Sequence, residues 1–345
     1  MALIWMDGFD HYGGSAARLL DGVYSQTFGV TLTNVGARTG SYCAKINTGA
    51  AHAGMRRVLP VARTTVGCGF AFNIDSLPIY AGDLCLLAVL GGDIRGLATI
   101  SVTPTGAVQL RRGSMDGVVV AQSAAEVVMP DSFQHFECEF SGENCEVRIN
   151  GVTVLNTTSS GVTQPIEQLY VGGAWGLYRT GAAFVTMLLD DLFARDGEGP
   201  DNNSWIGDKK VYTRMPDEDG PEQDWTPSTG TEAWPILDNV PPVDSEYITA
   251  AEAGARTSVG YAAFPAEIVS IAGVYTASRV WKTDAGDAKV AVDMISGASE
   301  TNHAEHPIST APRWYGDIFE TNPATGLPWL ITDLNAAQVV IDRIE

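Results

Sequence analysis

Between residues 135 and 140, apolar and polar positions alternate strictly in the order His-Phe-Glu-Cys-Glu-Phe. Such alternation predicts a strand with one apolar face and one charged face in solvent. A second alternating stretch at 145–149 ends at Asn150-Gly151, a dipeptide that tolerates the two positive φ angles of a tight hairpin turn. Val152 begins the return strand. The sequence therefore predicts a three-strand antiparallel meander.

Short strand-like stretches recur along the rest of the chain, and no stretch keeps a helical period. In the first part they are residues 3–6, 41–46, 55–61, 65–74, 84–90, 98–102, 108–111, 169–173 and 184–193. In the last part they are residues 247–249, 258–262, 268–278, 288–295, 313–320 and 337–344. Many short strands separated by turn residues predict an all-β fold class. We expect an N-terminal jelly-roll sandwich and a second, C-terminal β-sandwich.

Composition places the domain boundaries. Residues 1–197 form the first predicted domain and residues 245–345 the second. Residues 198–244 are acidic, rich in proline and loop residues, and carry three tryptophans, Trp205, Trp225 and Trp234. A free linker rarely carries three such rings, because each one buries a large apolar surface. We therefore expect residues 198–244 to be a connecting segment that packs on a domain.

Charge and hydropathy limit the classes of partner. The 345 residues carry a formal net charge of −20. This excess of acid argues against nucleic acid and against anionic membranes, since both select basic surfaces. The first residues lack the basic region and long apolar run of a secretory signal. Leu84–Leu90, the most apolar run, is too short to span a bilayer.

The cysteines show neither a metal-binding nor a redox pattern. Their number is odd, no CxxC pair is present and no histidine lies at zinc-ligand spacing. Two of them, Cys68 and Cys138, occupy apolar strand positions, where a free thiol behaves as a small hydrophobe. We expect reduced thiols and no cofactor. A single disulfide that bridges the sandwich stays open, because the sequence does not assign its pairing.

Two segments together resemble a known family. The hairpin at 150–151, followed by the stretch Leu-Leu-Asp-Asp-Leu-Phe-Ala-Arg-Asp-Gly at 188–197, resembles concanavalin A-like or laminin-G-like jelly rolls. In that family the Asn-Gly hairpin and the Asp-Asp-hydrophobic strand recur. The opening Met-Asp-Gly-Phe-Asp at 6–10 is similar to the first strand of the versions found in tailed-phage structural proteins.

The resemblance continues downstream and covers most of the chain. Residues 205–212, 239–242 and 319–329 resemble the same two-domain phage proteins. What this implies is a non-enzymatic virion component of the tail tip, a fibre or a head appendage, made in the host cytoplasm. Its implied partners are other virion proteins, a host-surface glycan and further copies of itself in a homo-oligomer. Two alternatives stay open, a carbohydrate-binding adhesin and a divergent glycoside hydrolase.

Glu137 and Glu139 are the most tempting catalytic pair. Jelly-roll glycosidases carry their carboxylates at i and i+4 on one strand with an aspartate between them, and a retaining pair needs about 5–5.5 Å between its carboxyl groups. Here the pair stands at i and i+2, and Ser141 takes the place of the third carboxylate. We expect no hydrolase and interpret the pair as part of a solvated strand face.

Three aspartates, Asp7, Asp190 and Asp191, carry the hard oxygen ligands that suit a structural Ca²⁺ ion. Adjacent residues of a strand point to opposite faces, so only one of Asp190 and Asp191 should face a given site. A strand end that leaves the core is the favoured interpretation. His303 and His306 have metal-like i, i+3 spacing, but a polar loop without further ligands is expected there.

Trp175 and Tyr178 stand in a glycine-rich connection before the last strand of the first domain. Loops carry function, and flat aromatic rings stack on sugar rings or partner proteins. We predict that Trp175 and Tyr178 form a carbohydrate- or partner-binding surface. The alternative is that both rings fold back onto the edge of the sandwich. The sequence contains no phosphate-binding glycine loop and no G-x-S-x-G elbow.

Overall fold

The structure is a computed structural model that describes residues 2–48, 53–79, 82–174, 185–301 and 304–345. Within these residues the chain is built from antiparallel strands, with only short helical turns between them. The predicted all-β fold class is confirmed. No helix among the described residues is long and apolar enough to cross a membrane.

The chain divides into two compact units. Unit 1 comprises Met1–Asp10, Gly14–Leu20 and Tyr24–Tyr212. Unit 2 comprises His11–Gly13, Asp21–Val23 and Thr213–Glu345. The chain therefore passes from unit 1 to unit 2 between Tyr212 and Thr213, inside the predicted connecting segment 198–244.

Unit 1 is a β-sandwich of the jelly-roll type. Its strands are β1 Leu3–Asp7, β2 Gln26–Phe28, β3 Val30–Thr33, β4 Cys43–Asn47, β5 Ala53–Arg63, β6 Thr65–Ile74, β7 Leu84–Leu90, β8 Gly96–Val102, β9 Val108–Arg112, β10 Val119–Gln122, β11 Gln134–Ser141, β12 Asn144–Ile149, β13 Val152–Thr157, β14 Ile166–Ala174 and β15 Thr186–Arg195. Among the described residues, eight strands form one sheet in the order β13-β12-β11-β6-β15-β4-β3, with β1 also paired to β15. Seven strands form the other sheet in the order β10-β9-β8-β7-β14-β5-β2.

The apolar positions of the predicted meander face the sandwich core. Phe136, Cys138 and Phe140 of β11 are buried, and Phe136 stacks on Phe70 of β6 with 4.7 Å between ring centroids. Apolar surface removed from water in this way is the main favourable term in folding. The alternation seen in the sequence therefore identifies the correct inward-facing residues of this sheet.

The hairpin between β12 and β13 forms as predicted. Asn150 and Gly151 adopt φ angles of 50° and 78°, and Ile149 pairs directly with Val152. The Asn150 side chain also accepts the backbone N–H of His135 at 2.8 Å. The turn thus fixes the register of β12 and β13 and ties the hairpin to β11.

Unit 2 is a smaller arrangement of sheets. Its elements are β16 Pro216–Gln223, β17 Thr226–Pro227, α1 Trp234–Leu237, β18 Ile248–Thr249, β19 Arg256–Tyr261, β20 Val274–Val280, β21 Lys289–Ser296, β22 Ser299–Glu300, β23 His306–Pro307, β24 Arg313–Phe319, α2 Ile331–Asn335 and β25 Gln338–Arg343. Among its described residues, the larger sheet has the strand order β16-β19-β25-β21-β22, and β23 also pairs with β21. The two-stranded sheet β20-β24 packs against β21 of this sheet. The Thr276 hydroxyl of β20 donates to the Val292 carbonyl of β21 at 2.7 Å.

The three tryptophans of segment 198–244 lie against different units. Trp205 contacts the side chains of Arg148 and Arg195 in unit 1. Trp225 and Trp234 pack against apolar clusters of unit 2. The structure therefore divides this segment between the two units, and its acidic part supplies β16 to the larger sheet of unit 2.

The cysteines Cys43, Cys68, Cys85, Cys138 and Cys145 are free and buried in this structure, including Cys68 and Cys138 at the apolar strand positions expected from the sequence. Burial raises the pKa of the Cys43 thiol to about 12 and raises the pKa of Cys68 as well, because the thiolate loses its hydration. At neutral pH the Cys43 and Cys68 thiols are therefore protonated and act as small apolar side chains.

Truncating the stacked core ring tests the assignment of the inward face. We expect Phe136→Ala to lower the free energy of unfolding of unit 1 by about 3–5 kcal/mol, because it leaves a cavity beside Phe70. Val152→Ala, at a 65% exposed position of the same sheet, is the matched control and should change the free energy of unfolding by less than about 0.5 kcal/mol. Urea unfolding followed by tryptophan fluorescence measures both. Equal effects of the two changes would contradict the assignment.

Candidate functional site

The outward face of β11 carries His135 and Glu137, and both are buried, with 3% and 1% of their surface exposed. The prediction of a solvated charged face is wrong at these two residues. The reason is tertiary, since residues Trp205–Tyr212 lie over this face of the eight-stranded sheet and form no strand. We call Trp205–Tyr212 the strap.

Glu137 holds the first half of the strap. Its carboxylate accepts the backbone N–H of Ile206 at 2.8 Å and that of Gly207 at 3.1 Å. Burial raises the pKa of Glu137, and these two hydrogen bonds oppose that rise because they favour the charged form. The side chain thus supplies the acceptors that a neighbouring strand would otherwise provide.

Asp191 and Arg38 hold the second half of the strap. Asp191 accepts the backbone N–H of Val211 at 2.7 Å, and the Arg38 guanidinium lies 2.9 Å from the Asp191 carboxylate. The same guanidinium reaches forward to Asp208 of the strap at 2.6 Å. Arg38 therefore links a buried aspartate of the sheet to an exposed aspartate of the strap.

Trp205, the first residue of the strap, packs against the side chains of two arginines. The guanidinium of Arg148 lies 3.8 Å from the indole centroid, and that of Arg195 lies 5.8 Å away. Arg195 is fully buried and pairs with Glu139 at 2.7 Å. A cation over an indole face is attracted by the ring quadrupole, so the two arginines and the tryptophan form one stacked contact.

Two glycines of β6 make room for the side chains beneath the strap, namely His135, Glu137, Phe193 and Arg195, which we call the buried layer. A Cβ atom on Gly67 would lie 2.7 Å from the Arg195 guanidinium, and one on Gly69 would lie 2.3 Å from the Phe193 ring. Phe193 in turn lies nearly parallel to the His135 ring, with 6.3 Å between centroids. The side chains of β15 can therefore lie flat across β6 and meet those of β11.

Asp190 and Asp191 both face the same segment of chain, so the prediction that only one of them can is wrong. Asp190 accepts the backbone N–H groups of Arg38 and Thr39, while Asp191 accepts the Thr39 hydroxyl at 3.1 Å. The strand bulges here, and Asp191 has a φ of 54°, which breaks the alternation of faces. Burial, followed by the charge of Asp191, raises the pKa of Asp190 to about 7.

The residues considered for calcium have other partners. Asp7 accepts the backbone N–H of Phe9 at 2.8 Å and the hydroxyl of Tyr24 at 2.9 Å. Among the described residues, no group of three or more metal-ligating side chains is found. His306 contacts Asp317 at 3.0 Å, and His303 lies outside the described residues.

The outer face of the seven-stranded sheet offers a second polar surface, which we call the polar ladder: Asp83, Gln109, Arg111 and Gln122. Arg111 donates to Asp83 at 2.8 Å and to Gln109 at 2.9 Å, and Gln109 donates to Gln122 at 2.6 Å. Gln122 is exposed, whereas the other three are partly exposed. The ladder places four planar polar groups in one hydrogen-bonded row.

The cross-strand row through Arg111 shows how the sheet supports this ladder. It runs through Val119, Arg111, Thr99, Ala88, Tyr170, Arg56 and Gln26. The centre of the row is buried, and the partly exposed Arg111 and Arg56 lie next to its two ends. On the same face, the buried Oγ of Ser101 has no hydrogen-bond partner among the described residues.

Trp175 and Tyr178, the predicted binding residues, lie outside the described residues. Their role stays a prediction. The structure shows polar contacts at groups that the sequence analysis did not identify, namely Arg38, Arg195 and the polar ladder. One signal pointed to the buried layer: the alternating Gly67 and Gly69 inside a strand, a pattern typical of a close approach by another group.

Comparison with known proteins gives no family assignment. No family model matches the chain, and no curated protein matches it. A sialidase matches with 13% identity and a TM-score of 0.39, over 56% of this chain and 19% of that chain. The binding domain of Paraclostridial Mosquitocidal Protein 1 matches with 11% identity and a TM-score of 0.40, over 56% and 49%.

A protein of unknown function with a galectin-like fold from Bacillus subtilis matches with 14% identity and a TM-score of 0.38, over 57% of this chain and 96% of that chain. The aligned part thus spans about a fifth of the sialidase and about half of the Mosquitocidal Protein 1 binding domain. At these identities and TM-scores the likenesses carry no functional assignment.

Adding one methyl group tests the packing of the buried layer. We expect Gly69→Ala to lower the free energy of unfolding by about 1–3 kcal/mol, because its Cβ would displace the Phe193 ring from beneath His135. Gly91→Ala is the matched control, since its nearest neighbouring atom would be 3.6 Å away, and it should stay within about 1 kcal/mol of wild type. Chemical denaturation measures both variants, and an unchanged Gly69→Ala protein would contradict the packing.

Acid should weaken the layer through His135. Burial, with the charge of Arg38 against the opposing charge of Asp208, lowers the pKa of His135 to about 4. In the unfolded chain His135 has its ordinary pKa of about 6.5, so it takes up a proton at pH values where the folded protein keeps it neutral. The free energy of unfolding therefore falls as the pH drops from about 6.5 towards 4. We expect this loss to reach up to about 3 kcal/mol and to be absent in His135→Asn.

The measurement is the difference in unfolding free energy between wild type and His135→Asn at several pH values. The raised pKa of Asp190 acts in the opposite sense, since its contribution is lost as the pH rises towards 7. Both proteins contain Asp190, so the difference isolates the histidine. A difference that does not vary with pH would contradict the buried, neutral state of His135.

Proposed function

We propose that this chain is a non-enzymatic structural protein of a phage virion, located in the tail tip, a fibre or a head appendage. The sequence resemblance to two-domain phage proteins supports this role across both units. One observation supports a non-enzymatic role: the chain's own backbone occupies the Glu137 carboxylate. Its carboxylate takes two backbone N–H groups and is 1% exposed.

The second carboxylate of the tempting pair is engaged as well. Glu139 forms an ion pair with the buried Arg195 at 2.7 Å. A glycosidase needs one carboxyl group free to protonate the leaving group and another free to attack or to activate water. Neither group has that freedom here, which supports a role in binding and assembly over hydrolysis.

Purified particles test the virion role. We expect the protein to co-purify with intact virions in a fixed copy number, because a structural subunit occupies equivalent positions in every particle. Quantitative mass spectrometry of gradient-purified particles measures the ratio to the major capsid protein. A protein found only free in the host lysate would overturn the proposal.

Carbohydrate binding is the second candidate function, and the polar ladder favours it. Sugar hydroxyl groups both donate and accept hydrogen bonds, and planar amide, carboxylate and guanidinium groups offer matching partners. Hydrogen bonds within the ladder hold Gln109, Arg111 and Asp83 in fixed positions. Fixed positions reduce the entropy lost when a ligand binds.

A glycan array tests this candidate with variants of the ladder. If a glycan binds there, Gln109→Ala and Gln122→Ala should each weaken binding about five- to tenfold, since one hydrogen bond contributes about 1 kcal/mol. Val152→Ala, exposed on the other sheet, should leave binding unchanged. Trp175→Ala tests the aromatic prediction in parallel. Glycan binding that neither ladder variant alters would contradict this location.

A further inference from the structure

We infer that Asn150 is a site of spontaneous deamidation, and that the fold controls the reaction through the hairpin between β12 and β13. The closed hairpin keeps the Asn150 amide bound to the neighbouring strand, and local opening of the hairpin releases it. Asn150-Gly151 is the single Asn-Gly dipeptide of the chain. The inference is independent of the proposed virion role and of the polar ladder.

The turn supplies both reacting groups. The backbone nitrogen of Gly151, after losing its proton to base, attacks the Cγ atom of the Asn150 amide, and the Cγ–Nδ2 bond breaks with release of ammonia. Water then opens the succinimide ring at either carbonyl, which leaves an aspartate or an isoaspartate at position 150. Glycine obstructs this attack least, because it has no Cβ atom. Water is therefore the only co-reactant.

Both residues of the turn are accessible to solvent in the folded protein. Asn150 and Gly151 are exposed, and a Cβ atom added to Gly151 would have no neighbouring atom within 4 Å. Water and base therefore reach the reacting groups without any unfolding. The contacts of the amide, and not its accessibility, decide how fast the folded protein reacts.

Two hydrogen bonds hold Asn150 to β11. Its side-chain oxygen accepts the backbone N–H of His135 at 2.8 Å, and its backbone N–H donates to the His135 carbonyl at 2.8 Å. Ring closure requires the amide to turn onto the backbone nitrogen of the next residue. The side-chain hydrogen bond with His135 must break before this rotation, so the closed hairpin slows the reaction.

The hairpin can open without unfolding the sandwich. β13 lies at the end of the strand order of its sheet, and within the described residues it pairs only with β12. The first residues of β13, Val152 and Thr153, are exposed, so little apolar surface holds this end of the strand in place. Elements with few buried contacts open locally at a lower cost in free energy than the core strands. The rate of deamidation then follows the fraction of time for which the turn is open.

The isoaspartate product cannot rebuild the turn. In this product the chain runs through the former side chain, which adds a methylene group to the backbone. The direct pairing of Ile149 with Val152 depends on a two-residue turn, so the added atom disturbs the register. The aspartate product keeps an oxygen acceptor for His135. Because ammonia is lost irreversibly, the modification marks those chains whose hairpin has opened.

Peptide mapping tests the site and its control by the fold. Full-length protein is kept at mildly alkaline pH, either native or unfolded in guanidinium chloride, and mass spectrometry follows both products at position 150 with time. We expect Asn150 to react about tenfold or more faster in the unfolded chain, because a closed hairpin is open for about a tenth of the time or less. Asn156, exposed and followed by the β-branched Thr157, is the internal control and should react far more slowly in the unfolded chain.

Loosening the hairpin tests the link to local opening. Ile149→Ala removes a side chain that is 4% exposed beside the turn, and it should raise the native rate at Asn150 about fivefold or more. Val152→Ala, at the 65% exposed position opposite, is the matched control and should stay within about twofold of wild type. The unfolded-state rate of each variant normalises its native rate. Circular dichroism establishes that each variant is folded, and Ile149→Val replaces Ile149→Ala if the latter is not.

Each part of the inference has its own contrary result. Equal, slow reaction of Asn150 and Asn156 in the unfolded chain would overturn the site. A native rate at Asn150 equal to or above the unfolded rate would overturn the protection by the hairpin. A folded variant at Ile149 that reacts no faster than Val152→Ala would overturn local opening as the controlling step.

Discussion

The hydrogen bonds from Ile206 and Gly207 to the Glu137 carboxylate are the contact on which the outer layer of unit 1 depends. A carboxylate that is taken out of water without partners destabilises a fold by several kcal/mol. Here the strap removes the water and supplies the replacement donors in the same step. The buried carboxylate and the covering segment therefore satisfy each other's hydrogen-bonding groups.

This mutual requirement explains the surrounding residues. Glycines at 67 and 69 leave the space in which Arg195 and Phe193 lie across the sheet. The bulge at Asp191 turns a second carboxylate towards the strap, where it accepts the N–H of Val211. Packing, bulge and charge together hold the strap against a sheet face without strand pairing.

The same arrangement bears on function. The two carboxylates that resemble a catalytic pair in the sequence have partners within the chain: Glu137 accepts backbone N–H groups of the strap, and Glu139 forms an ion pair with Arg195. A sandwich fold by itself hosts many functions, and the sites on its faces decide among them. In this chain the two faces differ: one binds the chain's own strap, and the other carries the partly exposed polar ladder.

Local pattern alone determined the all-β class, the inward residues of β11 and the Asn150-Gly151 turn, because alternation and turn chemistry act over a few residues. The burial of His135 and Glu137 was decided only by tertiary structure. Their covering segment lies about seventy positions away along the chain, as the 69-residue separation of Glu137 and Ile206 shows. Strand periodicity separates two faces but does not say which face meets water, because that depends on what the rest of the chain places over it.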